Sequence, residues 1–555
     1  KSSFEDQWRR WQRSSDSIYD PALGSKKAGW QSRAVWPITA AHRENAQAQL
    51  FRTEIGPRES IDVKAREGTI PQGMEEMDQS ANIRDLIIRE RQKSNYPMER
   101  NKVLEDKTTY GSGFNRMRFE ERTEERKVKV PVYEEASLMD PSSIFRRWDG
   151  QPQIVGYEDK IQSVITYRGT VFEHISIWDF FPDPKALKIK GHPCAYRYYT
   201  TYGEVIAGAQ PRLDQETKQE IPGYNLPEAV TALRDFKSDE ETPEDRKEVE
   251  SDRQIADSNV SRPEYGKRLE CFEIFARLPK KWAFINGEPI DDPEKLVSVR
   301  VRIKKGVCVV GVELNDTYDG EPPIFKDDYM PVAAQFYGRG IPEMLKDVQL
   351  VSSETINQRL DCGSVGLKQK FAIITEALVD PKDIDEDRIA IRFKRPTGSP
   401  DYNVQNFMQR IDMGTPDKAS FVEPQEWERI AQERTSVNRV TLGTAGQVKD
   451  ANETLGGMEL LEQAAGLKFG YLGLLSELSY QQEVMDYYWK LIYSNYNIED
   501  VAMALGPERA QTFQFMTPEQ LANAYQYIIS GIFTMESKPR KQAALQSQAA
   551  QFSMM

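Results

Sequence analysis

From Glu453 to Tyr496 the chain carries no proline, and these 44 residues would span about 66 Å as one unbroken helix. Gly456, Gly457, Gly466, Gly470 and Gly473 fall in its first half, so a kink or a close helix–helix approach is expected there. Tyr471, Leu474, Leu475, Leu478, Val484, Tyr487, Tyr488 and Leu491 give this stretch an apolar surface wider than a single packing face needs. One chain could hardly cover so much of it alone, so the spacing predicts a spine shared between neighbouring molecules.

The chain has 555 residues, too many for one core, and two to four domains are expected. Its aromatic content supplies core material, and no run of 18 apolar residues offers a membrane span. No basic stretch leading into an apolar one follows Lys1, so nothing here marks the chain for secretion. Cys194, Cys271, Cys308 and Cys362 are far apart in sequence, which predicts free thiols in a reducing compartment. His42, His174 and His192 are the only histidines and form no HExxH, so neither a zinc site nor a Cys-His dyad is expected. There is no GxxxxGK[ST] loop and no GxSxG elbow, and Gly111-x-Gly113 lacks the third glycine of a dinucleotide fingerprint. Asp291-Asp292, Asp327-Asp328 and Asp385-Glu386-Asp387 are acidic enough for a metal nuclease, but each sits in a turn-like context where a solvated surface is the simpler reading. No catalytic residue, metal ligand or cofactor site is assigned, and the chain reads as a non-enzyme. The net charge of −13 also argues against tight gripping of DNA, since phosphate neutralisation drives that affinity.

Residues 1–60 hold ten Lys/Arg against seven acids, and four tryptophans, Trp8, Trp11, Trp30 and Trp36, which read as core anchors or as a docking surface. A helix is expected over Asp78–Lys93, a break at Tyr110-Gly111-Ser112-Gly113, and a strand over Phe114–Phe119. The segment Ile175–Pro184 reads as a buried strand that turns sharply, with Asp179 and Asp183 as turn caps. Residues 237–253 hold eight acids and four bases with no apolar period and read as a solvated helix or loop at a lobe boundary. Leu269–Ala276, Val297–Ile303 and Val307–Leu314 alternate as antiparallel strands, with turns at Asn286-Gly287 and Lys304-Lys305-Gly306. After Gly338-Arg-Gly340, the row Ile341, Leu345, Val348, Ser352, Ile356, Leu360 marks a helix to about Cys362, with Gly363 as its C′ residue. Residues 366–420 read as short strands, Phe371–Thr375 and Ile389–Phe393, between Pro/Gly turns. A helix capped by Ser420-x-x-Glu423 runs to about Val440. A small-residue loop, 441–452, precedes the long helix, and another helix is expected over Pro518–Phe533.

The fold class is therefore α+β, in a fixed order: strand block, helix, small β module, helix, small-residue loop, very long helix. Two helices flanking an inserted module form a stalk with the module at its tip, and the loop would leave from the other end. This order resembles the portal, or head-to-tail connector, proteins of tailed bacteriophages, particularly those with short tails. The resemblance rests on Trp30-Gln-Ser32…Trp36-Pro37, on Ile177-Trp-Asp-Phe-Phe-Pro-Asp-Pro184, on Gly338-x-Gly340-Ile…Gln349…Asn357-Gln, and on Gly443-Thr-Ala-Gly446. It implies a ring of about twelve copies at one capsid vertex, through which double-stranded DNA is packaged, held and ejected.

In its terms residues 1–335 would be a wing with a helical N-terminal lobe and an antiparallel β block, and 338–362 and 423–440 stem helices. Residues 363–422 would be a small α/β clip, 441–453 a tunnel loop, 454–497 a long spine helix and 498–555 a helical crown-side region. The family's long C-terminal barrel is not assigned. Gln447, Lys449 and Asn452 would face DNA. Asp383, Asp385, Asp387 and Arg388 in the clip would meet partners: the large terminase subunit and a tail adaptor, with major capsid and scaffold proteins elsewhere. The implied localisation is the virion, with the host cytoplasm during assembly. Other readings are a different virion structural protein, such as a tail adaptor or internal protein, and a metal-dependent DNA-processing enzyme built on the acidic clusters.

Overall fold

A computed structural model describes residues 2–55, 61–65, 79–133, 154–213, 220–221, 223, 225–234, 236, 266–283, 292–315, 317, 319–367, 370–373, 394, 408–411, 423–437, 469–512 and 525–529. Within them the chain is mixed α+β. Helices dominate the start: α1 (Ser2–Ser15), the turn α2 (Pro21–Gly24) and α3 (Ile38–Ile55). After the short strand β1 (Ile61–Ala65) come α4 (Ser80–Lys93) and α5 (Tyr96–Tyr110). Two 22-residue strands follow, β2 (Ser112–Tyr133) and β3 (Ile154–Ile175), then β4 (Phe180–Pro182) and β5 (Cys194–Thr201). Next are α6 (Tyr202–Ala209), the short β6 (Arg212–Leu213) and β7 (Glu220–Ile221), and α7 (Pro227–Arg234).

The expected β block forms as β8 (Arg268–Pro279), the turn α8 (Lys280–Ala283), β9 (Leu296–Lys304) and β10 (Cys308–Leu314), followed by β11 (Ile324–Asp328). Then come α9 (Ile341–Leu367), β12 (Lys370–Ile373), β13 (Met408–Ile411) and α10 (Glu423–Thr435). A helix, α11, covers 469–495 and includes a π turn at Glu477–Gln481. The last described elements are α12 (Ile498–Leu505), α13 (Pro507–Thr512) and β14 (Tyr525–Ile529).

The larger sheet, β10-β9-β8-β5-β4, is antiparallel throughout. Along β8 burial alternates, and Leu269, Cys271, Glu273 and Phe275 point inward. Helices α6 and α7 cover it with Tyr202, Val205 and Leu233, and a Thr201–Glu204 capping box starts α6. The second sheet is β11-β2-β3, with β11 pairing only along Ser112–Arg116 of β2.

The expected break after Tyr110 is a crossing of two backbones. Gly111 takes φ +95° and ends α5 as a left-handed cap. A Cβ on Gly338 would lie 2.6 Å from the Gly111 carbonyl oxygen, and one on Gly340 2.6 Å from that of Thr109. The two Gly-x-Gly pairs thus let the end of α5 and the approach to α9 touch backbone to backbone, with β2 and α9 starting from the same point.

Trp8 and Trp11 are buried in an aromatic core with Tyr110, Phe114, Trp178, Phe180 and Tyr337. The Trp8 and Trp178 rings meet edge to face with centroids 5.6 Å apart. Trp178 Nε1–H donates to the Tyr110 hydroxyl (3.2 Å), which donates to Gln12. The Trp-Asp-Phe-Phe-Pro segment is therefore a core wall against α1. Asp179 is an ion-pair partner of Arg197 (2.8 Å) rather than a turn cap, whereas Asp183 accepts from the Lys185 amide (2.9 Å) as a turn residue does.

Four other expectations are corrected. Gly363 is helical, because α9 continues to Leu367 with solvent where a Cβ would stand. Helix α10 stops at Thr435, not near Val440, since Ser436 turns to φ +59°. Residues 525–529, placed in a helix by sequence, form β14 against β1. Tyr-Gln-Tyr-Ile-Ile is a β-forming sequence, and β1 offers it an edge to pair with. Asp327 is fully buried, not a solvated acid. The turn at Asn286-Gly287, the acidic stretch 237–253, Ser420 and Ile389–Phe393 lie outside the described residues. All four cysteines are free thiols. No helix among the described residues is long and apolar enough to cross a membrane.

Candidate functional site: a strapped helix and its exposed apolar row

Helix α9 buries Ile341, Leu345 and Val348 against α3, α10 and the start of α11, where Ile38, Leu50, Ala431, Phe469 and Leu472 complete one core. Arg434, near the C-terminal end of α10, donates to the Met344 carbonyl at the N-terminal end of α9 (2.7 Å). The two helices therefore run antiparallel. Strand β12 follows α9 after two residues and pairs antiparallel with β13. Val437, just past the end of α10, and Phe469, at the start of α11, lie in the same core as Ile341 at the start of α9.

A second row on α9 is polar and strictly four residues apart: Gln349, Ser353, Asn357, Asp361. An extended strap, residues 31–37, lies antiparallel along it. The Thr39 N–H donates to Gln349 Oε1 (3.0 Å), Trp36 N–H to Ser353 Oγ (3.2 Å), Ala34 N–H to Asn357 Oδ1 (2.8 Å) and Ser32 N–H to Asp361 Oδ1 (2.7 Å). Asn357 and Gln349 each donate back, to the carbonyls of Ala34 and Trp36. For Ser32, Ala34 and Trp36 the match is one of pitch, since four helical residues rise about 6.0 Å and two extended residues about 6.6 Å; Thr39, already in α3, adds the fourth contact. Glu354 fixes the strap's start, accepting from the Tyr19 hydroxyl (2.6 Å) and pairing with Lys27 (2.9 Å). Burial alone would raise the Glu354 carboxyl, but those two partners outweigh it and hold it below the ordinary value. Between α1, the strap and α9 lies a cleft of about 630 Å³ lined by Arg10, Trp11, Asp20, Lys346, Ser353 and Glu354. Its charges are of both signs, so it concentrates no field for an anion or a cation.

Two of the segments that carried the resemblance, Trp30…Trp36 and Gln349…Asn357, are thus brought together. Their polar groups face each other, and the indoles of Trp30 and Trp36 are left exposed. On α11, Tyr471, Leu474 and Leu478 form an apolar row that is 56%, 51% and 58% exposed. Leu350, Val351 and Leu360 are exposed on α9.

Helix α11 is pinned where its π turn begins. Arg100 bonds bidentately to Glu54 (2.8 and 3.1 Å) and also reaches Asp327, which Lys107 holds at 2.8 Å. The Ser476 hydroxyl bridges Glu54 (3.3 Å) and Asp327 (3.1 Å), and the Arg100 guanidinium lies 4.3 Å from the Tyr480 ring centroid. All of these groups are buried. Burial alone would raise the Asp327 carboxyl, but Lys107 and Arg100 outweigh it and keep it below the ordinary carboxylate value. This cluster joins α3, α5, β11 and α11, and it occupies the acid that sequence offered as a metal ligand.

Gln447, Lys449 and Asn452, and Asp383, Asp385, Asp387 and Arg388, lie outside the described residues. Among the described residues no group of three or more His, Cys, Asp or Glu side chains could hold a metal ion. The polar row on α9 was not singled out from sequence, although its four-residue spacing was visible beside the apolar one. No protein-family model matches the chain, and no curated protein matches it.

Proposed function

We propose that the chain is a portal-type subunit: copies assemble into a ring at a capsid vertex, and DNA passes along the axis. The observation that carries this reading is the antiparallel pair α9–α10, with the strand β12 directly after α9 and paired to β13, beside an exposed apolar row on α11. A lone copy leaves Tyr471, Leu474 and Leu478 wet, at roughly 25 cal/mol for each Å² of apolar surface. Neighbouring copies in a ring would cover them. The chain's charge of −13, multiplied around a ring, would repel DNA and favour passage over adhesion. Gln447, Lys449 and Asn452 would supply the polar contacts to passing DNA, and the 363–422 module with Asp383, Asp385, Asp387 and Arg388 the docking face for motor and tail adaptor.

The test is electron microscopy of the purified protein together with the mass of the particle. A ring with an open axis, at an integral multiple of 63.8 kDa, supports the reading. A folded protein that stays monomeric at every attainable concentration overturns it. In assembled particles, Lys449→Glu is expected to change DNA retention and leave ring formation intact.

A further inference from the structure

The β2–β3 ribbon outruns its own core. At its base, Asn115, Met117 and Phe119 of β2 face the helices. Asn115 accepts from the Tyr480 hydroxyl (2.7 Å), Met117 and Phe172 lie in the core of α4 and α11, and Phe119 meets the Tyr496 ring at 6.1 Å. Arg168, on β3, reaches the Asn495 carbonyl (3.2 Å) and Asp500 (3.4 Å). The ribbon therefore runs along α11 from Tyr480 to its C-terminal end. Beyond Arg122 the paired strands go on for a further 11 residues of β2, about 37 Å.

The register carries both sides of the base into this outer half. One continues the outer side of the base and is laced with charge pairs: Arg122–Glu120 (2.5 Å), Arg126–Glu124 (2.8 Å) and Lys160–Glu158 (3.3 Å). The other continues the core-facing side. There, opposite Pro131, Lys127 and Thr123, stand Tyr157, Ile161 and Ile165, which are 66%, 67% and 45% exposed and alternate along β3 with Asp159 and Ser163, opposite Lys129 and Glu125. An isolated two-stranded ribbon is marginal in water, and beyond the base this one lacks the helices that cover its inner side.

We propose that the outer half of the β2–β3 ribbon is an arm whose Tyr157–Ile161–Ile165 face packs against a second copy of this chain. Residues 122–133 and 154–166 hold five bases and four acids, a net +1, which leaves −14 for the rest of the chain. Such an arm meets another copy without repulsion, and its matched charges lack the basic excess a nucleic acid would require. In outline it is roughly 40 Å by 10 Å. With its side chains and one edge it offers area on the order of the 800 Å² that one partner contributes to a specific interface. Receiving apolar surface exists on the chain, at Tyr471–Leu474–Leu478, but toward the opposite end of α11 from which the arm departs, so it is out of reach in cis. The arm requires only that copies associate, whatever the shape of the assembly.

The experiment places a photo-crosslinking amino acid at Ile161 in an equal mixture of isotopically light and heavy chains and maps the cross-linked peptides. Mixed light–heavy pairs are expected, and the double variant Tyr157→Lys/Ile161→Lys is expected to raise the concentration for half-assembly by about tenfold or more while the melting profile is unchanged. Assembled particles that yield only same-isotope pairs, or none, overturn the arm and leave the portal reading standing. Mixed pairs from particles that are not rings support the arm and overturn the portal reading. A monomer at all concentrations overturns both.

Discussion

Asp327 and His42 each hold together segments far apart in sequence, and each makes a prediction at the scale of one side chain. Removing the Asp327 carboxylate leaves Lys107 and Arg100 buried with too little opposite charge. Asp327→Ala is expected to cost about 3–5 kcal/mol, read as a shift in the urea midpoint. A loss below about 1 kcal/mol would show that the cluster is not the clamp described. Because its folded-state value is depressed, the stability Asp327 provides is present above the unfolded carboxylate value and is lost as pH falls.

His42 is buried with Nδ1 2.7 Å from the Thr435 hydroxyl oxygen, joining α3 to the end of α10. Burial pushes its imidazolium down from 6.5 to about 4. The unfolded chain then takes up a proton that the folded one refuses, so stability falls as pH drops from 6.5 toward 4. The loss is on the order of 3 kcal/mol, and thermal melts of His42→Gln are expected to be flatter across that window. His174 has the opposite sign. Burial would lower it, but Asp106 at 2.8 Å raises it, so that pair stabilises at low pH and its contribution fades as pH rises through the folded value.

At the scale of elements, periodicity located helices well and their ends poorly. Of the row Ile341, Leu345, Val348, Ser352, Ile356, Leu360, the first four are buried on α9, because a 3.6-residue period is a property of the sequence itself, whereas Leu360 at the far end is exposed. Gly363 was read as a terminator, but a glycine stops a helix only if the backbone turns left-handed there, and here it does not. Gly363→Ala is accordingly expected to stabilise the protein by about 0.5–1 kcal/mol in thermal or urea unfolding. A C′ glycine would respond with a loss. Asn357 makes two hydrogen bonds to the strap, so Asn357→Ala is expected to free it and speed tryptic cleavage at Lys26 and Arg33, with the melting of α9 little changed. The strap was unreadable as structure because an extended segment with no sheet partner has no period of its own. β14 was misread because pairing with β1, more than 450 residues away, decides its state.

For the molecule as a whole, the described chain has more apolar surface than it covers. If α11 is shared between copies as proposed, Leu474→Glu with Leu478→Glu leaves the folded monomer within about 0.5 kcal/mol of the parent, since both side chains are exposed. Association is expected to weaken by about tenfold or more, as seen in the concentration dependence of particle mass. Equal assembly by this variant would remove α11 from the interface. The candidate site was legible in part. Trp30, Trp36, Gln349 and Asn357 were noted as sequence, but that they meet, with indoles out and amides in, depends on the match between an extended strap and a helix.

The sequence alone determined that the chain is α+β, that antiparallel strands occupy residues 268–314, and that helices begin near 80, 341 and 423, because these follow from local period and turn chemistry. Only the tertiary structure decided that Asp327 is a buried clamp, that Gly111 and Gly338 mark a backbone crossing, and that residues 525–529 extend. In each case the outcome depends on which distant group supplies the missing charge, space or hydrogen bond, and no local pattern carries that information.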